Sequence, residues 1–185
     1  MKPVRDLLLI TSTLIGAFGC AAPKTDVAAE TAAPAPVGNP TPAAAAPSSA
    51  EIDKEVWTTF VTTVAADDIV GMGQAYFPEA VLVTPRGTAA IKDTLERWGR
   101  DMVANKAKGS RATVEFRFSQ RQDGDTTAFE SGIFKYTVID KSGAATPKYY
   151  PFEQLLAKSD GKWRVLMERQ FAEVTQAEWD KLPKW

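Results

Sequence analysis

The apolar period of this chain changes at Gly109, and that change sets the order of its secondary structure. Ahead of Gly109, apolar residues recur at the spacing that lines one face of an α-helix. "EIDKEVWTTFVTTVAADD" puts Ile52, Val56, Phe60 and Val64 on one stripe, with Trp57 and Val61 beside it, which predicts an amphipathic helix with a broad buried face. "DDIVGMGQAYF" predicts a shorter second helix, capped by Asp67 or Asp68 and ended by Pro78, and "AVLVT" predicts a short strand. "TAAIKDTLERWGRDMVANK" repeats the helical spacing through Ile91, Leu95, Trp98 and Met102, starting from a Thr88 cap.

Beyond Gly109 the residues alternate. "RATVEFRFSQRQ" sends Val114, Phe116 and Phe118 one way and Glu115, Arg117 and Ser119 the other, and Asp123-Gly124-Asp125 makes a hairpin turn. In "TTAFESGIFKYTVID", Phe129 is out of phase with Phe134, Tyr136 and Val138, and a bulge at Gly132 would bring all four to one face and curve the sheet. "KSGAATP" is a loop, and "KYYPFEQLLAKSDGKWRVLMERQF" reads as two strands joined at Ser159-Asp160-Gly161, with Pro151 marking an edge strand or another bulge. Helices followed by long strands define an α+β fold, with three helices packed against a strongly curved antiparallel sheet.

This pattern occupies residues 51–172, and the segment ahead of it builds no core. Residues 1–19 read as an export signal: Lys2 and Arg5 precede roughly a dozen mainly apolar residues from Leu7, interrupted on their N-terminal side by Asp6 and too few to span a bilayer. "AFGC" resembles the lipobox cut by the lipoprotein signal peptidase, with Ala17 where leucine is commoner; Cys20, the chain's one cysteine, is then the lipidation site. A thiolate is the nucleophile that accepts a diacylglyceryl group, and several acyl chains at about 0.8 kcal/mol per buried CH₂ hold a protein firmly to a membrane. The alternative is an ordinary cleaved signal near "GCAA" with an incidental cysteine. Residues 20–50 are mostly alanine and proline without aromatic residues, a semi-stiff disordered tether with a coil-limit reach of about 30 Å. Alanine after Cys20 differs from the aspartate of inner-membrane retention, so the expected site is the outer membrane, facing the periplasm. Residues 173–185 hold a Thr175-to-Glu178 capping box, predicting a short helix whose Trp179, with Trp185, folds over the sheet, lids a pocket or meets a second copy.

The 185 residues include no histidine, which removes histidine general bases, Ser-His-Asp and Cys-His arrangements and the commonest metal ligand. With no cysteine cluster and scattered acids, no metal site or cofactor is expected. A net charge of −1 carries no electrostatic signature for nucleic acid. Gly71-Met72-Gly73 lacks the lysine and context of a phosphate loop.

The first helix, "DDIVGMGQAYFPEAVLV", the "GTAAI" opening at Gly87 to Ile91 and the closing "DGKWRV" together resemble the nuclear transport factor 2-like superfamily, in its SnoaL-like or DUF4440-like branch, over roughly residues 51–171. The resemblance implies a cone of three helices wrapped by a bent sheet, commonly with a pocket at its open end, and sheet-to-sheet homodimers. The superfamily includes isomerases, dehydratases, epoxide hydrolases, cyclases and members with no demonstrated activity, so fold leaves function open. Several members place histidines where Met167 and Arg169 stand here, and the acid-base chemistry that depends on them lacks its residues in this chain.

Pocket candidates are Trp57, Tyr76, Trp98, Phe116, Tyr136 and Tyr150, weighed against the default that aromatic residues of a small domain form its core. Arg169 joins them if it shares the inward phase of Trp163, Val165 and Met167; otherwise it snorkels to the rim. Glu130, Glu153 and Glu168 are candidate bases, with Glu130 and Glu168 favoured for a solvated face or for pairing with Arg117 or Arg164, while Asp67 and Asp68 read first as helix caps. These residues are compatible with two functions: a non-catalytic module binding a small apolar or amphipathic molecule or a protein partner, which the lack of a recognisable catalytic set favours, and a ketosteroid-isomerase-like or hydratase-like enzyme using a buried carboxylate on a small hydrophobic substrate. The anchor is checked by Cys20→Ser, which is expected to abolish fatty-acid labelling and membrane fractionation; persistence of both rules out lipidation at Cys20.

Overall fold

The computed structural model describes residues 47–185, which belong to the second of two units, Met1–Asn39 and Pro40–Trp185; the export signal, Cys20 and most of the tether lie outside the described residues. Helical structure starts at Pro47, ahead of Glu51. α1 (Pro47–Ile52), one π-helical turn (Asp53–Trp57) and α2 (Thr58–Ala66) continue as a single rod, because Ile52 and Thr58 at the junctions keep right-handed helical angles. The rod buries the predicted stripe of Ile52, Val56, Phe60 and Val64. It ends at Asp67, which turns the chain in the left-handed conformation (φ 54°). α3 (Ile69–Gly73) comes next, with Asp68 Oδ1 accepting from the Gly71 N–H at 2.8 Å. Both aspartates thus act at helix ends.

α3 stops at Gly73, well short of Pro78. Tyr76, Phe77 and Pro78 belong instead to β1 (Tyr76–Thr84), because two glycines weaken the helix and the aromatic and β-branched run beyond them suits a strand. Thr88 is likewise not a cap: β2 (Gly87–Ala90) pairs with β1, and α4 (Ile91–Ala107) starts at Ile91. The long strands are β3 (Arg111–Asp123), β4 (Thr127–Ile139), β5 (Ala145–Ser159) and β6 (Lys162–Gln170). The six strands are ordered β2-β1-β6-β5-β4-β3, and every neighbouring pair is antiparallel except β1 with β6, which are parallel. The sheet is therefore mixed, where an antiparallel one was expected. Two-residue geometry explains the tight β5–β6 hairpin, since Asp160 and Gly161 both have positive φ, as a type I′ turn requires.

The register of β1 against β6 shifts between Tyr76 and Val81, and bulges in β3 and β6 set which of their side chains face the helices. Phe118 pairs with Gly132 and Gln120 with Ser131, so the extra residue is Ser119 on β3, and β4 keeps one phase throughout. The even residues Ala128, Glu130, Phe134 and Tyr136 all face inward, and the Gly132 bulge is absent. On β6, Leu155 pairs with Met167 and Leu156 with Val165, leaving Leu166 as the extra residue. Past it, Glu168 turns inward while Arg169 turns out. Pro151 lies in an interior strand without a bulge; its missing N–H falls at the end of β6, where its carbonyl accepts from Phe171.

α5 (Gln176–Asp180), opened by the predicted capping box, makes a fourth helical unit beyond the rod, α3 and α4. It lies on the sheet's outer face, where Trp179 packs with Ile133 and Tyr149 in a small separate cluster. The Arg117 guanidinium sits 4.5 Å from the Trp179 ring and donates to the Trp179 carbonyl at 2.9 Å. Of the three placements open to the tail tryptophans, Trp179 folds over the sheet, and Trp185 meets the Phe118 ring at 6.0 Å.

Glycine is demanded where β3 bulges against β4, since a Cβ on Gly132 would lie 2.1 Å from the Arg117 carbonyl oxygen. Gly132→Ala is expected to lower stability by about 3 kcal/mol, the upper end of ordinary overpacking costs. Gly73→Ala, whose added carbon meets nothing closer than Leu95 Cδ1 at 3.5 Å, is expected to be neutral or stabilising. Urea denaturation of both variants checks the contrast.

Candidate functional site

Between the helices and the inner face of the sheet lies a cavity of about 540 Å³. Its wall is mostly aromatic. Phe60 comes from α2 and Trp98 from α4; Tyr76, Phe116 and Tyr136 come from β1, β3 and β4; Phe134 stands beside Tyr136, and Tyr150 and Phe152 come from β5. Strand alternation brings these residues together, because positions two apart on a strand share a face. Val64, Met72 and Met102 complete the apolar lining, and the exposed Arg86, Asp101 and Lys108 stand at the rim. A second, more open depression of about 820 Å³ between α3, α4, β1 and the β5–β6 turn has surface side chains for its charged lining, among them Glu79, Lys92 and Asp160.

Five of the predicted pocket residues, Tyr76, Trp98, Phe116, Tyr136 and Tyr150, line this cavity. Trp57 does not. It is fully buried in the core, with ring centroids of Phe116 at 4.7 Å, Phe118 at 5.0 Å and Phe152 at 5.3 Å, and its indole N–H donates to Glu130 Oε2 at 2.5 Å. Arg169 points away from the cavity: its side chain is half exposed and reaches Glu153 at 3.5 Å, because the Leu166 bulge reverses the phase that would have turned it inward.

The same reversal turns Glu168 into the cavity wall, 5% exposed. Its Oε2 accepts from the Tyr76 hydroxyl at 2.5 Å and its Oε1 from Gln170 Nε2 at 2.6 Å. Gln154, its cross-strand neighbour on β5, also bonds the carboxylate. Burial pushes the Glu168 carboxyl up from the usual carboxylate range, against the three hydrogen bonds that favour its charged form, and no ion pair to it occurs among the described residues. Burial, with the neighbouring carboxylate, also holds the Tyr76 phenol well above its ordinary value. Gln154 Oε1 is buried in the cavity wall and has no hydrogen-bond partner among the described residues.

Glu130 is the second buried carboxylate, fully enclosed and away from the cavity lining. It pairs with neither Arg117 nor Arg164. Arg121 Nε donates to its Oε1 at 2.8 Å, and Arg121 Nη2 bridges to Asp53 Oδ1 at 2.6 Å on the π-helical turn. Burial raises Glu130 to about 7, although the Arg121 guanidinium and the Trp57 N–H both favour the ionised form. Arg117, the pairing expected for it, is spent on α5, and the Arg164 guanidinium lies 5.8 Å from the Phe77 ring. Sequence reasoning missed Gln154 and Gln170 and, although it counted Glu168 among the candidate bases, favoured a solvated face for it. The available signal was the run Val165-Leu166-Met167, where strict alternation fails and a bulge reverses the facing of Glu168 and its successors.

The fold is shared with known structures. The chain is similar to a ketosteroid isomerase-like protein from Erwinia carotovora (22% identity, 68% of this chain and 95% of that one, TM-score 0.51). It is also similar to a nuclear transport factor 2-like superfamily protein from Salmonella enterica (16% identity, 68% and 92%, TM-score 0.53) and to an NTF-2 like protein of unknown function from Shewanella oneidensis (13% identity, 67% and 98%, TM-score 0.54). No protein-family model matches the sequence, and no curated protein matches it. The fold is thus the nuclear transport factor 2-like α+β fold, built on a curved mixed sheet of six strands.

The raised carboxyls set the sign of a pH effect. A carboxyl whose folded-state pKa lies above its unfolded value holds its proton more tightly when folded, so stability is greatest below the unfolded pKa and falls as pH rises through the folded one. For Glu130 that window runs from 4.5 to about 7, and Glu168 acts in the same direction. Chemical denaturation is expected to show lower stability at about pH 8 than at about pH 5, by up to about 3 kcal/mol from Glu130, and Glu130→Gln is expected to flatten the slope. A stability that climbs across that range would refute the assignment.

Proposed function

We propose that this chain is an exported, lipid-anchored binding module of the cell envelope. Cys20 carries the anchor, the alanine-proline tether spaces the domain from an outer membrane, and the domain holds a small apolar or amphipathic molecule in its aromatic cavity. The observation that carries this reading is the cavity itself: about 540 Å³, within the usual range for small-molecule sites, walled by rings and provided with one buried polar corner. Tyr76, Trp98, Phe116, Tyr136 and Tyr150 are the contact residues. A homodimer through the sheet's outer face would have to form around α5.

A second reading is favoured by one observation, the buried Glu168–Tyr76 pair inside the cavity: a carboxylate base moving a proton on a small hydrophobic substrate. Against it stands the direction of the hydrogen bond. The Tyr76 hydroxyl donates to Glu168 itself and is not left free to stabilise an oxyanion on a substrate.

Toluene titrated into the full chain in lipid nanodiscs is expected to shift the methyl resonances of Met72 and Met102, which line the cavity, and to leave that of Met167 in place. Unmoved Met72 and Met102 signals would refute the binding reading. Deuterium exchange at the α-carbon of cyclohexenone is expected to proceed at the buffer rate; acceleration that Glu168→Gln abolishes would establish the enzyme reading instead.

A further inference from the structure

The polar corner of the cavity has a hydrogen-bond inventory that selects its guest. Three groups there already donate to Glu168: the Tyr76 hydroxyl to Oε2, Gln170 Nε2 to Oε1 and the Gln154 amide to the same carboxylate. Beside them stands unused acceptor capacity. Gln154 is 2% exposed and its Oε1 has no partner among the described residues. A reversed Gln154 amide would set this oxygen against the Glu168 carboxylate, two acceptors face to face, so the orientation is held. An unmade hydrogen bond on a buried acceptor is costly, and a guest that brings a donor removes that cost.

We propose that the guest is a small organic amine, bound as its ammonium, with its N–H groups directed to Gln154 Oε1 and Glu168 and its hydrocarbon part against the rings. The inference rests on the binding reading above. Three observations converge on positive charge. Glu168 lacks an ionic partner among the described residues. The rings of Phe116, Phe134, Tyr150 and Phe152 enclose the space beside it, and ring faces attract cations. A guest carboxylate would meet the Glu168 carboxylate in this corner, like charge against like charge. Among the other charged groups, Arg86 on the β1–β2 turn and Lys108 at the end of α4 stand at the exposed rim, while the Tyr136 phenol is raised first by burial and then by the charges of Asp67 and Asp101. The rim therefore carries both signs, and solvent screens it more than it screens the buried corner. Ammonium binding also favours the charged form of Glu168, opposing the burial that raises its pKa.

Calorimetry on the full chain in lipid nanodiscs, corrected against empty nanodiscs, separates the possibilities with three probes of one shape: phenethylamine, phenethyl alcohol and phenylacetate. The amine is expected to bind at least about tenfold more tightly than the alcohol, with phenylacetate weakest, and Glu168→Gln is expected to bring the amine-to-alcohol ratio to about one. An alcohol or phenylacetate that equals or exceeds the amine in the unmodified chain overturns the proposal, whatever the variant does. If toluene moves the Met72 and Met102 signals but the amine shows no preference, the binding reading stands and the amine assignment falls. If toluene moves nothing, both fall.

Discussion

The rest of the structure depends on how the indole of Trp57 is held. Its N–H is given to Glu130, Glu130 is held by Arg121, and Arg121 returns to Asp53, four residues before Trp57 on the same rod. The circuit ties the helical rod to β3 and β4 at one end of the sheet, and the rings of Phe116, Phe118 and Phe152 close around it. Glu51 and Glu55 extend the attachment to β6, accepting from the Trp163 indole at 3.1 Å and the Trp163 backbone N–H at 2.8 Å. Acidic residues on the rod's first turns thus grip the sheet at both flanks. A buried charge is tolerable only with such partners, since removing one leaves the other without compensation in a low-dielectric core.

With Trp57 and the rings around it filling one part of the inner face, the aromatic residues divide by position along their strands. Phe116 and Phe152 serve both environments, touching Trp57 on one side and the cavity on the other. Phe118, one rung nearer the closed end, is core only. Trp57 occupies the space at its level, packed against the rings of Phe116, Phe118 and Phe152, whereas Trp98, Tyr136 and Tyr150 stand in the wall of the cavity.

Much of the fold was legible because period and polarity agreed. The rod's stripe, the alternation of β3, the Asp160-Gly161 turn and the Thr175 capping box are local patterns that tertiary contacts reinforce. What was not legible was phase. A bulge costs one residue and reverses every side chain after it, and neither Ser119 nor Leu166 announces itself by composition. Placing the bulge at Gly132 put Phe129 inward and Glu130 outward, and reading β6 as one unbroken alternation did the same for Arg169 and Glu168. Five ring positions in the site were recoverable because none depends on the phase past a bulge: Phe116 precedes Ser119, Tyr136 and Tyr150 lie on strands that pair with each other without a shift, Tyr76 opens β1, and Trp98 lies on the helical stripe of α4. The parallel β1–β6 pairing was out of reach for a different reason: it joins segments far apart in the chain, and no turn between them specifies it.

The two buried glutamates show how one structural device yields opposite outcomes. Each sits on the inner face near a bulge, Glu130 across from Arg121, two residues past Ser119, and Glu168 two residues past Leu166, and each is raised by burial. Glu130 meets a guanidinium, which the same Ser119 bulge turns inward by moving Arg121 onto the helix-facing side, so its charge is spent inside the protein. Glu168 meets only neutral donors, a phenol and two amides, so the charge it can carry is stabilised by hydrogen bonds and left without an opposite charge. An uncompensated carboxylate facing a ring-lined space is costly to the folded state, and that cost falls when a cation enters. With the proposed ammonium guest, occupancy of the cavity is coupled to stability of the sheet that forms it.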